Sequence, residues 1–177
     1  MPVRIATYDG SVCEPGVALV TAFSLGNPGV HTEIWFDNCR VSTFRLRDCV
    51  ECKRLSDTMD ASEWHVVEIP IKGAGHAQAE GFIRDALNSH AVYSISIPEL
   101  AMPKCILDSI DQDLDCCHPE KWDRLFCSQF ALLFLRRCAV AGILDVPHDR
   151  QRLLWSVNSK GCLPSRLQII TDSVFGR

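Results

Sequence analysis

The chain has 177 residues, 47% of them apolar and 23% charged, with a formal net charge of −4 and ten cysteines. A chain of this length can bury roughly two thirds of its unfolded surface, so one domain spanning residues 1–177 is expected. The acidic balance, with only 18 basic residues against 22 acidic ones, argues against a domain built to neutralise nucleic-acid phosphate.

In chain order, strands come first. Val3 to Tyr8, Val17 to Phe23, Thr32 to Phe36, Val41 to Leu46 and His65 to Ile71 are rich in β-branched and aromatic residues, and most are bounded by turn formers. The short break Asp37-Asn38-Cys39-Arg40 predicts a hairpin between the third and fourth of these. From Gln78 to Asn88 the apolar positions Ala79, Phe82, Ile83 and Leu87 recur at helical spacing, which predicts an amphipathic helix. Ala91 to Ile97 leads into a Pro-punctuated segment with an acidic run from Asp108 to Asp115, read as a long loop lining a binding groove from Ile106 to Leu114. Cys127 to Ala141 is apolar nearly all round and is followed by Gly142, so it reads as a buried central helix; a short helical stretch follows near Gln151 to Val157. Strands first and helices after them predict an α+β fold, with an antiparallel sheet of five or six strands packed on the central helix.

The longest nearly apolar run, Leu125 to Leu135, falls short of the about 20 residues that cross a bilayer. The stretch Met1-Pro-Val-Arg-Ile-Ala lacks the apolar block of a secretory signal. Together these lead us to expect a cytoplasmic, reducing location and no membrane partner. Most of the cysteines are then expected to be free thiols, because disulfide-dense scaffolds are typically small, secreted and short of core.

Among the thiols, Cys127 is set apart by its place at the start of the most hydrophobic helix, in Leu125-Phe-Cys-Ser-Gln-Phe. A thiol there meets unpaired backbone N–H groups and the positive end of the helix dipole, which favour thiolate and can hold an oxyanion. A thiolate nucleophile needs a base, and His31 lies in Gly29-Val-His-Thr-Glu-Ile-Trp-Phe. On a strand His31 and Glu33 share one face, so an imidazole and a carboxylate point the same way. The plain alternative is a small core cysteine and two polar residues on a solvated strand face.

Several short motifs occur in a particular order: His31-Thr-Glu33-Ile, then Val41-Ser42-Thr-Phe, then Trp64-His-Val-Val-Glu-Ile-Pro70 and Tyr93. They continue with Trp122, Cys127-Ser-Gln129 and Leu163-Pro-Ser-Arg-Leu167. Over residues 29 to 167 this order resembles the circularly permuted branch of the papain-like NlpC/P60 superfamily, its viral and phage members above all, in which histidine precedes cysteine. The resemblance implies a cysteine protease or amidase with Cys127 as nucleophile and His31 as general base. It assigns the residue orienting the imidazole to Ser42 or its neighbour Thr43, with Glu33 as the substitute, and places Tyr93, Trp122 and Gln129 near the substrate. Lys121 stands where papain carries its oxyanion glutamine.

The implied partner is an intracellular protein or peptide, and no cofactor or metal is required. An acyltransferase on the same dyad is the neighbouring alternative. A rival reading takes Cys49-Val-Glu-Cys52 together with Cys116-Cys117-His118 as a zinc site bracing a non-catalytic interaction module. In that reading adjacent Cys116 and Cys117 point in different directions, so one of them at most joins His118.

Overall fold

The computed structural model describes residues 2–8, 31–42, 50–55, 64–89, 91–93, 114–122 and 124–176. Within these the fold is α+β. Five strands, β1 (Val3–Tyr8), β2 (His31–Phe36), β3 (Cys39–Ser42), β4 (Glu51–Arg54) and β5 (Trp64–Ile69), form an antiparallel sheet in the order β4-β3-β2-β1-β5. Helix α1 (His76–Asn88) follows. Two-residue strands β6 (Val92–Tyr93) and β7 (Arg124–Leu125) then pair in parallel, and α2 (Cys127–Val140), α3 (His148–Gln151) and α4 (Pro164–Phe175) complete the chain.

Alternation sorts the sheet into two faces. The register Ile5↔Ile34 and Ile5↔Val67 continues to Ile34↔Val41, so these side chains line one face, and they join the same core as Ile69, Phe130, Leu133 and Val174. Helix α2 packs on β2 and β3, while α4 packs on β1 and β5. The opposite face carries Tyr8, His31, Glu33, Trp35, Arg40 and Trp64, all on alternate positions from the core set. Tyr8 and Trp35 are buried there, with the Trp64 ring tilted against both at centroid distances of 4.9 and 5.4 Å.

The predicted hairpin forms with a tighter turn than the four-residue break suggested. Phe36 pairs with Cys39, so Asp37 and Asn38 alone make the turn, and Asp37 takes the left-handed φ of 53° that such two-residue turns require. Cys39 and Arg40 therefore belong to the strand. The predicted strands at Val17 to Phe23 and over residues 43–46 lie outside the described residues, as does the groove segment 106–113. Ile71 leaves β5 and bridges Leu144 instead.

Three of the labelled elements, β4, β7 and α4, are not among those expected from the sequence. Strand β4 is an edge strand of charged and polar residues, and α4 begins in the Leu163-Pro-Ser-Arg-Leu167 motif, with Pro164 at the first helical position. Helix α2 ends as predicted, one residue early: Gly142 adopts φ 69° just past its terminus. Eleven of its side chains are buried, including Arg136. That guanidinium satisfies itself by donating to the carbonyls of Leu154 and Val157 and lies 5.9 Å from the Trp155 ring. An arginine in the core thereby pins the segment after α2 to the helix.

Candidate active site

Cys127 is the first residue of α2, following Phe126 in extended conformation. No side chain caps the helix at Phe126, so its leading amides keep their pull on a nearby anion. The start of the helix is fixed from two sides. Gln129 folds back to accept the Phe126 N–H at 3.4 Å, and Ser128 donates to the Cys162 carbonyl at 2.6 Å. Cys127 itself is 3% exposed.

His31 opens β2, and its imidazole is in hydrogen-bonding contact with the Cys127 thiol. Elements separated by 96 residues in sequence thus meet at one end of the sheet. Burial works against charge on the ring, yet the charge and hydrogen bond of Cys127, reinforced by Glu33, overcome it and raise the His31 pKa from 6.5 to about 9. The resting ring is an imidazolium at neutral pH.

Glu33, two residues along the same strand, is fully buried. Its Oε1 lies 3.3 Å from His31 Nε2 and 2.7 Å from Arg40 Nη2, contacts of charge and not of aligned hydrogen bonds. Its Oε2 accepts the indole N–H of Trp35 at 2.9 Å. Trp64 adds a wall, its ring edge-on to His31 at a centroid distance of 6.4 Å. A carboxylate clamped in this way holds the imidazole it touches, which is the arrangement expected of an orienting group.

The other predicted residues fall elsewhere. Ser42 is fully buried but donates its hydroxyl to the Thr32 carbonyl at 2.7 Å, so it braces the backbone beside His31. Thr43 lies outside the described residues. Trp122 is buried and donates to the Asp115 carbonyl at 2.9 Å. Gln129 is buried and engaged at the helix start. Tyr93 pairs through its backbone with Leu125, two residues before Cys127.

Arg40, Trp35 and Trp64 were not foreseen. Trp35 was accessible from alternation alone, since it follows Glu33 by two. Arg40 needed the register of the two-residue turn, which sets it opposite Trp35.

The seven described cysteines are free thiols. Cys49 lies outside the described residues, and Cys52, opposite Val41 on β4, has its thiol in hydrogen-bonding contact with that of Cys39 on β3 and is pushed up to about 12 by burial and by that neighbour. Cys116 and Cys117 do not point apart as expected: their sulfurs are 3.9 Å from each other.

A buried thiol at a helix start, an imidazole against it and a carboxylate behind the imidazole are groups with the chemistry to serve as a nucleophile, a proton carrier and its anchor. The fold holding them is an α+β domain in which, among the described residues, no helix is long and apolar enough to cross a membrane. No protein-family model matches the sequence, and comparisons with curated proteins and with solved structures return no match.

Proposed function

We propose that the protein is a cysteine hydrolase of permuted papain-like architecture, acting as a protease or amidase on an intracellular protein or peptide. The observation that carries this reading is the contact between Cys127, at the start of α2, and His31, itself backed by the Glu33 carboxylate at 3.3 Å. Cys127 attacks the carbonyl carbon as thiolate, forming a tetrahedral centre whose oxyanion faces the leading amides of α2; collapse of that centre breaks the C–N bond and leaves a thioester on Cys127. His31, already protonated, gives its proton to the departing amine. Neutral His31 then draws a proton from water, which attacks the thioester and frees Cys127. Glu33 holds the ring through both transfers, taking the role the motif comparison divided among Ser42, Thr43 and Glu33.

The test is reaction with a thiol-directed electrophile at neutral pH, followed by peptide mass mapping of all ten cysteines. Cys127 is expected to label first, and His31→Ala to slow that labelling at least tenfold while the other thiols keep their rates. Uniform labelling, or Cys127 labelling indifferent to His31→Ala, would overturn the assignment.

A further inference from the structure

A second cluster lies upstream of Cys127 in sequence, where Asp115, Cys116 and Cys117 turn into the short helical turn Pro119–Lys121. One carboxylate oxygen of Asp115 and the two sulfurs all lie within 4.8 Å of one another, the one such group of three or more ligating side chains among the described residues. We infer that these residues form a binding site for a thiophilic divalent cation of the zinc type, with His118 as a further ligand.

The geometry supports Asp115, Cys116 and Cys117 directly, while His118 lies outside the group of mutually close ligand atoms and has to swing its ring inward to join them. Two thiolates bound to tetrahedral zinc at about 2.3 Å sit about 3.8 Å apart, and the Cys116 and Cys117 sulfurs are 3.9 Å apart. Oδ1 of Asp115 accepts the Cys117 N–H at 2.8 Å, which fixes the turn and leaves Oδ2 outside that bond. His118 Nε2 lies 3.7 Å from that Oδ2, a separation two ligands of one ion adopt. Its other nitrogen, Nδ1, is 2.8 Å from Glu120 Oε1. A carboxylate on the far ring nitrogen is the usual support of a metal-bound histidine, because it keeps the proton on Nδ1 and the lone pair on Nε2.

The scaffold under the cluster is firm and its mouth is open. Buried Trp122 ties down the Asp115 carbonyl, and Lys121 N–H bonds the His118 carbonyl at 3.0 Å. Cys116 is buried while Asp115 and Cys117 are exposed, and Cys117 and Glu120 line a cleft of about 330 Å³ through which an ion can enter. Two thiolates with imidazole and carboxylate favour zinc over magnesium or calcium, which take oxygen ligands. Binding releases the two thiol protons to solvent, so the thiolates balance the ion's charge. The Cys39 and Cys52 pair has two thiols in contact but no third ligand beside it among the described residues.

The experiment uses the full chain, reduced and freed of metal, titrated with Zn²⁺ and separately with Co²⁺ as a spectroscopic probe. About one equivalent of zinc is expected, with thiolate-to-cobalt charge-transfer absorption in the Co²⁺ form. Cys117→Ser alters an exposed side chain, and folding of the variant is checked by circular dichroism; it should weaken zinc binding by about 10- to 100-fold or more. Asp115→Asn, which keeps the acceptor for the Cys117 N–H, should weaken it less, while Cys52→Ser and Cys127→Ser should leave it unchanged. No stoichiometric zinc, or zinc retained by Cys117→Ser and lost in Cys52→Ser or Cys127→Ser, would overturn the proposal.

Discussion

Replacing Cys127 by alanine isolates what the thiol does to His31. In the intact site the histidine pKa stands at about 9 instead of 6.5, a difference of about 3 kcal/mol in favour of the protonated ring. At about pH 7.5 this leaves roughly 97% of the ring protonated, against about 9% for an unperturbed histidine. Burial alone would lower the value, so the excess comes from Cys127 and, behind it, from Glu33. The sign of the linkage follows from the raised value. His31's own contribution to stability is fully present below pH 6.5 and is lost as pH rises through about 9. Cys127→Ala removes the stronger of the two raising influences while Glu33 stays at 3.3 Å. The His31 midpoint should therefore fall by at least about one unit, or about 1.4 kcal/mol. Ring-proton NMR titration of the wild type and the variant, with His31 assigned through His31→Gln, reads both midpoints directly. A wild-type midpoint near 6.5, or midpoints that coincide in the two proteins, would refute the claimed coupling.

Glu33→Gln keeps an acceptor for the Trp35 indole but removes the negative charge that Arg40 and His31 share. A buried charge deprived of its partner costs about 3 kcal/mol, so urea melts should show a loss of that order, and the His31 midpoint should fall as well; a loss under about 0.5 kcal/mol would mean the cluster is better solvated than its burial implies. Arg136→Met fills similar volume but leaves the Leu154 and Val157 carbonyls without their donors. Each buried acceptor so abandoned costs about 1–3 kcal/mol, and thermal melting should report at least about 2 kcal/mol of destabilisation, centred on the segment after α2.

Most strands and helices were readable because they rest on local periodicity, although α4 was missed with Leu167, Ile170 and Val174 at helical spacing. Val3 to Tyr8 was found with its observed bounds, and the helix read as Gln78 to Asn88 gains only two residues at its start. Elements without apolar periodicity escaped: β4 reads Glu-Cys-Lys-Arg, the pattern of an edge strand that owes its place to pairing with β3. The same division runs through the candidate site. That His31 and Glu33 share a face follows from the two-residue repeat of a strand, and that Cys127 meets leading amides follows from the helix it begins.

Sequence by itself therefore determined the separate chemical parts: a thiol at a helix start, a histidine and carboxylate at strand spacing, and two adjacent cysteines followed by a histidine. Tertiary structure alone decided which parts touch. Contact between His31 and Cys127 depends on bringing the start of α2 to the end of the sheet where β2 begins, and which of Glu33 and Ser42 touches the imidazole depends on where each side chain finds its partner. Arg40 enters only because a two-residue turn sets the hairpin register, and the two sulfurs at 116 and 117 converge only because Asp115 folds their backbone into a turn. Periodicity is written residue by residue along the chain, whereas register, packing and convergence are properties of surfaces that exist only once the chain has folded.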